Sequence, residues 1–242
     1  MPMEKLILFL AIARSGLEEA DLAAILLSSK PHAAEIVLNK VLDGLPGVPP
    51  SPLSSPTHVL EVGAPALPVD YILEMRPHES TDPCDLYRAV KDALEPTGLE
   101  IPCAFLVYEI VQIPYQRYWP DGERTRGPKL MVLARRRHDV DPSVFADRWR
   151  QHALLAWRIH IGMWRYTQNF VRERWGGLAQ DTDGVAVTHY RSTEDYLTRQ
   201  YEHESHRKEI LDDVTEFVSS ADHFVTEERI LRSTTPKPLP HR

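Results

Sequence analysis

Apolar and polar residues alternate along this chain with two different periods, and the switches between them mark out its elements. Met3–Ala13 is a continuous Leu- and Ile-rich run, as expected of a strand buried on both faces. Gly16 and the acidic pair Glu18-Glu19 then open a predicted helix, Leu17–Ser28. Past Pro31 a second helical piece is predicted over His32–Leu42, and the proline-rich stretch Gly44–Pro56 reads as a loop. Thr57–Val62 and Val69–Met75 are strand candidates; the second alternates Val69, Tyr71, Leu73 and Met75 against Asp70, Ile72 and Glu74. Asp82 and Pro83 start a helix that runs to Leu94 with the stripe Leu86, Val90, Leu94. Ile101–Ile113 is a long apolar strand. The first half thus reads β-α-β-β-α-β.

The second half repeats that order after a proline- and glycine-bearing stretch, Pro114–Pro128. Its elements are a strand Lys129–Arg137 and a helix Pro142–His160, capped by Asp141, with the stripe Val144, Trp149, Ala153, Ala156, Trp157. A strand Met163–Val171, a loop Arg172–Asp183 and a strand Val185–Arg191 follow. Ser192 caps a helix reaching about Ser219, and His223–Leu231 is the last strand. Local sequence repeats too. Leu106-Val107-Tyr108-Glu109 parallels Phe224-Val225-Thr226-Glu227, and Lys30-Pro31-His32-Ala33 parallels Arg150-Gln151-His152-Ala153.

A β-α-β-β-α-β unit is the ferredoxin-like split βαβ motif, whose antiparallel sheet has helices on one face only. The bare face must be buried. Two copies can cover each other, which gives the expected fold class: α+β, two ferredoxin-like repeats whose antiparallel sheets form an α+β barrel. The expected division is repeat one over 1–115, linker 116–128, repeat two over 129–233 and a polar tail 234–242.

Composition narrows the class of partner. The chain is 43% hydrophobic and 26% charged with net charge −7, so non-specific nucleic-acid binding is not expected. Residues 1–120 carry 8 basic and 16 acidic side chains; residues 121–242 carry 20 and 19. The two cysteines, Cys84 and Cys103, lack metal-ligand spacing and point to a reducing cytoplasm. The opening apolar run Leu6–Ala13 is expected to be a buried strand, being too short for a signal segment and preceded by Glu4 where a basic region would stand, and no stretch is long enough to span a membrane.

The chemistry-bearing candidates gather in the second repeat. His152 lies on the predicted sheet-facing helix, where an imidazole can exchange protons with a carbonyl, enol or phenol near neutral pH. Strand alternation puts Tyr166 and Gln168 on one face and Arg165, Thr167 and Asn169 on the other. So many polar groups suggest a lined cavity, where Tyr166 can donate to an oxyanion and Asn169 can orient a carbonyl. His189 and Tyr190 point to opposite faces, and Glu109 and Glu227 occupy parallel strand positions. His203-Glu204-Ser205-His206 is not a zinc signature and reads as a solvated helix face; Arg135–Arg137 reads as a strand end at the surface. No phosphate-cradling glycine motif is present.

Over Lys129–Glu228 the chain resembles the EthD domain, a branch of the dimeric α+β barrel superfamily. The resemblance rests on Arg135-Arg136-Arg137, Phe145…Trp149…His152-Ala153, Tyr166…Gln168-Asn169, Asp183-Gly184-Val185, Asp213…Phe217 and Thr226-Glu227-Glu228. The first half looks like a degenerate copy that keeps His32-Ala33 and Glu109. The resemblance implies a small-molecule enzyme. The expected reaction is cofactor-independent lyase or cyclase chemistry (dehydration, decarboxylation, aldol closure or isomerisation) on an aromatic or polyketide-like carbonyl compound. His152, Tyr166 and Asn169 would be catalytic, and Trp149, Gln168, His189, Tyr190 and Glu227 would bind substrate. The alternatives are a cofactor-free or haem-assisted monooxygenase and a non-catalytic metabolite-binding module. No metal and no cofactor other than haem is expected. The partner expected is a small-molecule substrate, and the superfamily also allows a homodimer.

Overall fold

A computed structural model describes residues 3–12, 17–28, 33–43 and 67–233. The expected loop Gly44–Pro56, strand Thr57–Val62, His32 and the tail 234–242 lie outside the described residues. The first repeat is built from β1 (Met3–Ile12), α1 (Glu19–Ser28), β2 (Ala33–Leu42), β3 (Tyr71–Pro77), α2 (Pro83–Leu94) and β4 (Leu99–Ile113). The second is built from β5 (Lys129–Arg136), α3 (Pro142–Ile159), β6 (Met163–Gly176), β7 (Gly184–Tyr190), α4 (Thr193–Arg199), α5 (Glu204–Thr215) and β8 (Val218–Arg232).

Three expectations change. Ala33–Leu42 is a strand, not a helix. Ile36, Val37 and Leu38 are all buried, and a short apolar run buried on both faces carries no period that separates strand from helix. The strand begun at Met163 continues to Gly176, because β4 offers it partners as far as Cys103. The last helix is broken into α4 and α5, and β8 starts at Val218. The cap at Ser192 holds, its hydroxyl accepting from Asp195 N at 3.0 Å. So does the cap at Asp82, which accepts from Cys84 N at 2.7 Å. Asp141 stands at the N-cap of α3 without a side-chain cap bond.

Each repeat forms an antiparallel sheet, ordered β4-β1-β3-β2 and β8-β5-β7-β6. Pairing of β2 with β8 and of β4 with β6 closes the eight strands into one barrel within the chain. The bare faces therefore meet inside it. Ile7, Phe9, Ile72, Phe105 and Val107 from one repeat pack with Met131, Leu133, Val185, Val187 and Phe224 from the other. Helices cover the outside. α1 and α2 bury Leu22, Leu26, Leu86, Val90 and Leu94 on Leu6, Leu8 and Leu73. α3 buries Phe145, Trp149, His152, Ala153, Ala156 and Ile159 over the second sheet. Val144 and Trp157, expected in that stripe, are exposed instead. No helix among the described residues is long and apolar enough to cross a membrane.

The pairing registers relate the repeats residue by residue. Lys5 faces Val107 as Lys129 faces Thr226, so Glu109 corresponds to Glu228 rather than to Glu227. Asn39 and Asn169 correspond as well: Asn39 Nδ2 donates to Ile72 O at 2.9 Å and Asn169 Nδ2 to Val185 O at 2.8 Å. A slip of one residue turns every side chain to the other face of a strand. That is why the sequence parallel ending in Glu227 selects the wrong carboxylate.

Candidate functional site

The layer between α3 and the second sheet is organised by a ring and a glycine. Trp149 is buried, with its ring against Phe170 (centroids 4.7 Å apart) and Phe145 (5.5 Å). A Cβ at Gly184 would stand 2.1 Å from Trp149 Cζ3, so this close approach needs glycine. The indole N–H donates to Tyr166 Oη at 3.2 Å. Gln168 Nε2 donates to the same hydroxyl at 3.1 Å and to Trp149 O at 2.5 Å, and Gln168 Oε1 accepts from Gln112 Nε2 at 2.8 Å. Tyr166 Oη thus accepts two hydrogen bonds, and its own proton meets no acceptor among the described residues. Burial raises its pKa to about 12, opposed by the Gln168 and Trp149 donors. Those donors would also stabilise negative charge on the phenol oxygen.

One turn along α3, His152 Nδ1 lies 2.7 Å from Asp213 Oδ2 on α5. Its ring meets Phe217 edge-on, with centroids 5.8 Å apart. A carboxylate at Nδ1 holds the proton there and leaves the Nε2 lone pair free, the tautomer a general base requires. About 10% of the His152 side chain remains open to solvent. Strand and helix periods assign Asp213 no role; only the packing of α5 on α3 brings it to His152. Gln112, on β4 of the first repeat, is likewise invisible from sequence.

The other candidates separate. Tyr190 shares the helix-covered face and packs on Tyr196 at 5.1 Å. Asn169 and His189 point into the barrel, on the opposite side of the sheet from Tyr166. Asn169 and Tyr166 therefore do not face a common ligand, contrary to the shared role expected of them. Glu227 pairs at the rim with Arg124 at 2.9 Å. Arg135 is held by Asp181 at 2.9 Å and Asp222 at 2.5 Å, and Arg137 by Asp139 at 2.6 Å.

Inside the barrel, at the end where β1 and β5 begin, lies a buried ionic layer that sequence reasoning does not find. Lys5 Nζ bonds Glu74 and Glu109, both at 2.6 Å. Lys129 Nζ bonds Glu74 and, at 2.6 Å, Glu228. Arg76 reaches Glu109 at 2.5 Å and Glu35 at 3.0 Å. Burial alone would raise the acids; Lys5 and Arg76 beside Glu109, and Lys129 beside Glu228, instead hold both at about 2. Burial drives His189 down to about 4 against the pull of Glu228, and its Nε2 donates to Arg126 O at 3.1 Å.

The residues around His152 do not fit a haem. A haem iron takes an axial ligand beside an open flat slot. Asp213 on Nδ1 would suit an axial histidine, but Trp149, Phe145, Phe170 and Phe217 stack with centroids 4.7 to 5.8 Å apart and Trp149 lies directly on Gly184, which leaves no slot of porphyrin size, while the edge of His152 stays open to solvent.

No protein-family model matches the chain, and no curated protein matches it. Solved structures do. A candidate DyP-type peroxidase from Shewanella oneidensis is 10% identical over 95% of this chain and 93% of its own, with a TM-score of 0.54. A candidate chlorite dismutase is 8% identical over 95% of both chains, with a TM-score of 0.53. An anthrone oxidase-like protein is 9% identical over 100% of this chain and 97% of its own, with a TM-score of 0.52. At such identity the likeness shows the fold: this chain is an α+β barrel of two ferredoxin-like repeats.

Proposed function

We propose that this chain is a small-molecule enzyme of the EthD type that works in the cytoplasm by proton transfer at His152. The observation that carries the reading is the His152–Asp213 pair at 2.7 Å, with Nε2 unspent. It lies on the same helix–sheet layer as a tyrosine hydroxyl whose proton is also unspent. The substrate is an aromatic or polyketide-like carbonyl compound with an acidified C–H. Nε2 takes that proton, the electron pair moves into the enolate, and Asp213 stabilises the imidazolium. Tyr166, buried with Trp149 and Gln168 on its hydroxyl, would act from behind the ring layer, its O–H dipole favouring negative charge that builds at the open edge of His152. Return of the proton to a different carbon gives isomerisation. Its delivery to a departing hydroxyl gives water and a dehydrated product. No step uses a bound cofactor.

A second reading shares the first step. In a monooxygenase the enolate reacts with dioxygen, and the likeness in fold to an anthrone oxidase-like protein supports keeping that branch in the test. Anthrone is a suitable probe for both readings. Exchange of its acidic C–H in heavy water reports proton abstraction, and an oxygen electrode reports oxygenation. His152→Gln is expected to slow exchange by about 10²–10⁴-fold, with the circular dichroism spectrum unchanged. Exchange at the wild-type rate in His152→Gln would remove the acid–base reading. Oxygen uptake that follows exchange would select the monooxygenase.

A further inference from the structure

The barrel's ionic layer has no role in proton transfer at His152, and stability does not explain it. Replacing buried ion pairs by hydrocarbon of similar volume is often neutral or stabilising, and an apolar cluster around Phe9, Phe105 and Phe224 already fills part of this barrel. Its central carboxylates are saturated. Glu74 takes bonds from Lys5, Lys129 and, at 3.0 Å, Asn39 Nδ2. Glu228 takes them from Lys129, from Thr125 Oγ1 at 2.8 Å and from Tyr115 Oη at 3.3 Å.

Two guanidinium groups break the rule. Arg76 Nη1 is buried with no hydrogen-bond partner. Arg165 lies 5.0 Å above the Tyr115 ring, and its nearest carboxylate oxygen, on Glu228, is 3.8 Å away. That is too far for a hydrogen bond. Lys5 adds a third N–H, since its two carboxylates use only two. All three side chains line one void of about 10 Å³, together with Glu35, Val37 and Glu74. That volume admits about one water-sized guest. Both carboxylates in its wall are already engaged, by Arg76 and by the two lysines. The N–H donors left over, on Arg76, Arg165 and Lys5, are all cationic. Pseudo-symmetry does not account for them: the register places Glu35 where the second repeat has Arg165, and Arg76 where it has His189.

We infer that the barrel mouth is a binding site for a small monoanion, a halide or one end of a carboxylate, held by Arg165, Arg76 and Lys5. The inference is independent of His152. Its chemistry is that of guanidinium donors meeting an anion away from bulk water, where each charge-assisted bond is about twice as strong as a neutral one.

The test uses the full chain. Crystals soaked in bromide are expected to show an anomalous peak in hydrogen-bonding contact with Arg165 and Arg76. In solution, Tm is compared in potassium chloride, formate and gluconate at equal ionic strength, gluconate being too large for the void. Chloride or formate is expected to raise Tm by several degrees and to saturate, as for any ligand bound only by the folded state. A rise with both indicates a general anion site, and a rise with formate alone indicates a carboxylate ligand. Arg165→Gln is expected to fold, because no bond shorter than 3.8 Å to a carboxylate is lost, and to abolish the rise. The inference is overturned by a void that holds only water in the bromide data, by equal Tm in all three salts, or by an undiminished rise in Arg165→Gln. Should that variant not fold, the wild-type anomalous map still decides.

Discussion

Gly184→Ala isolates the contact on which the His152 layer is built. The added methyl would meet Trp149 at 2.1 Å from Cζ3, 2.5 Å from Cη2 and 3.1 Å from Cε3. The ring has nowhere to go: it is only 4% exposed and wedged against Phe145 and Phe170. Overpacking of this kind costs about 1–3 kcal/mol, or a fall in Tm of roughly 2–12 °C for a chain of this size. Trp149→Phe shortens the ring and should make room for the methyl. In the Trp149→Phe background the alanine should therefore cost less, with a coupling of about 0.5–3 kcal/mol in a double-mutant cycle. Urea unfolding followed by circular dichroism measures all four corners. If Gly184→Ala stays within about 0.5 kcal/mol of wild type, or the two changes simply add, Trp149 does not lie on Gly184 and the layer is arranged otherwise.

Other expectations concern the barrel. Stability should fall with acid in two stages. His189, at about 4 in the fold against an ordinary 6.5, contributes stability above pH 6.5 that is lost as pH falls toward 4. Glu109 and Glu228, at about 2 against 4.5, contribute stability above pH 4.5 that is lost as pH falls toward 2. His189→Gln should flatten the upper stage alone; parallel Tm-against-pH curves for variant and wild type would rule this out. Lys129→Met should destabilise by about 3–5 kcal/mol in urea, because Glu74 and Glu228 each lose a buried counter-charge. A change under about 1 kcal/mol would mean that water reaches the layer.

Legibility in the sequence follows length and period. Lys129–Arg136, Pro142–Ile159 and Pro83–Leu94 are readable almost to the residue, because caps, prolines and apolar stripes are local signals. Ala33–Leu42 misleads because Ile36-Val37-Leu38 is buried on both sides, and a run without alternation carries no period. His152, Trp149, Tyr166 and Gln168 share one layer, as strand alternation and helical spacing lead one to expect. Asp213 and Gln112 carry no such signal, because each reaches the site through a contact between elements far apart in the chain.

The β-α-β-β-α-β order of the second repeat, and the alternation of faces along its strands, are written in the amino-acid order alone, because they follow from periods of 2 and 3.6 residues. That the barrel closes within a single chain, that Glu109 answers to Glu228, and that Lys5, Arg76, Lys129 and Arg165 share one buried layer emerge only when the chain is folded. Register and charge pairing depend on which strands hydrogen-bond to which, and strands such as β2 and β8, nearly two hundred residues apart, leave no local trace of their pairing.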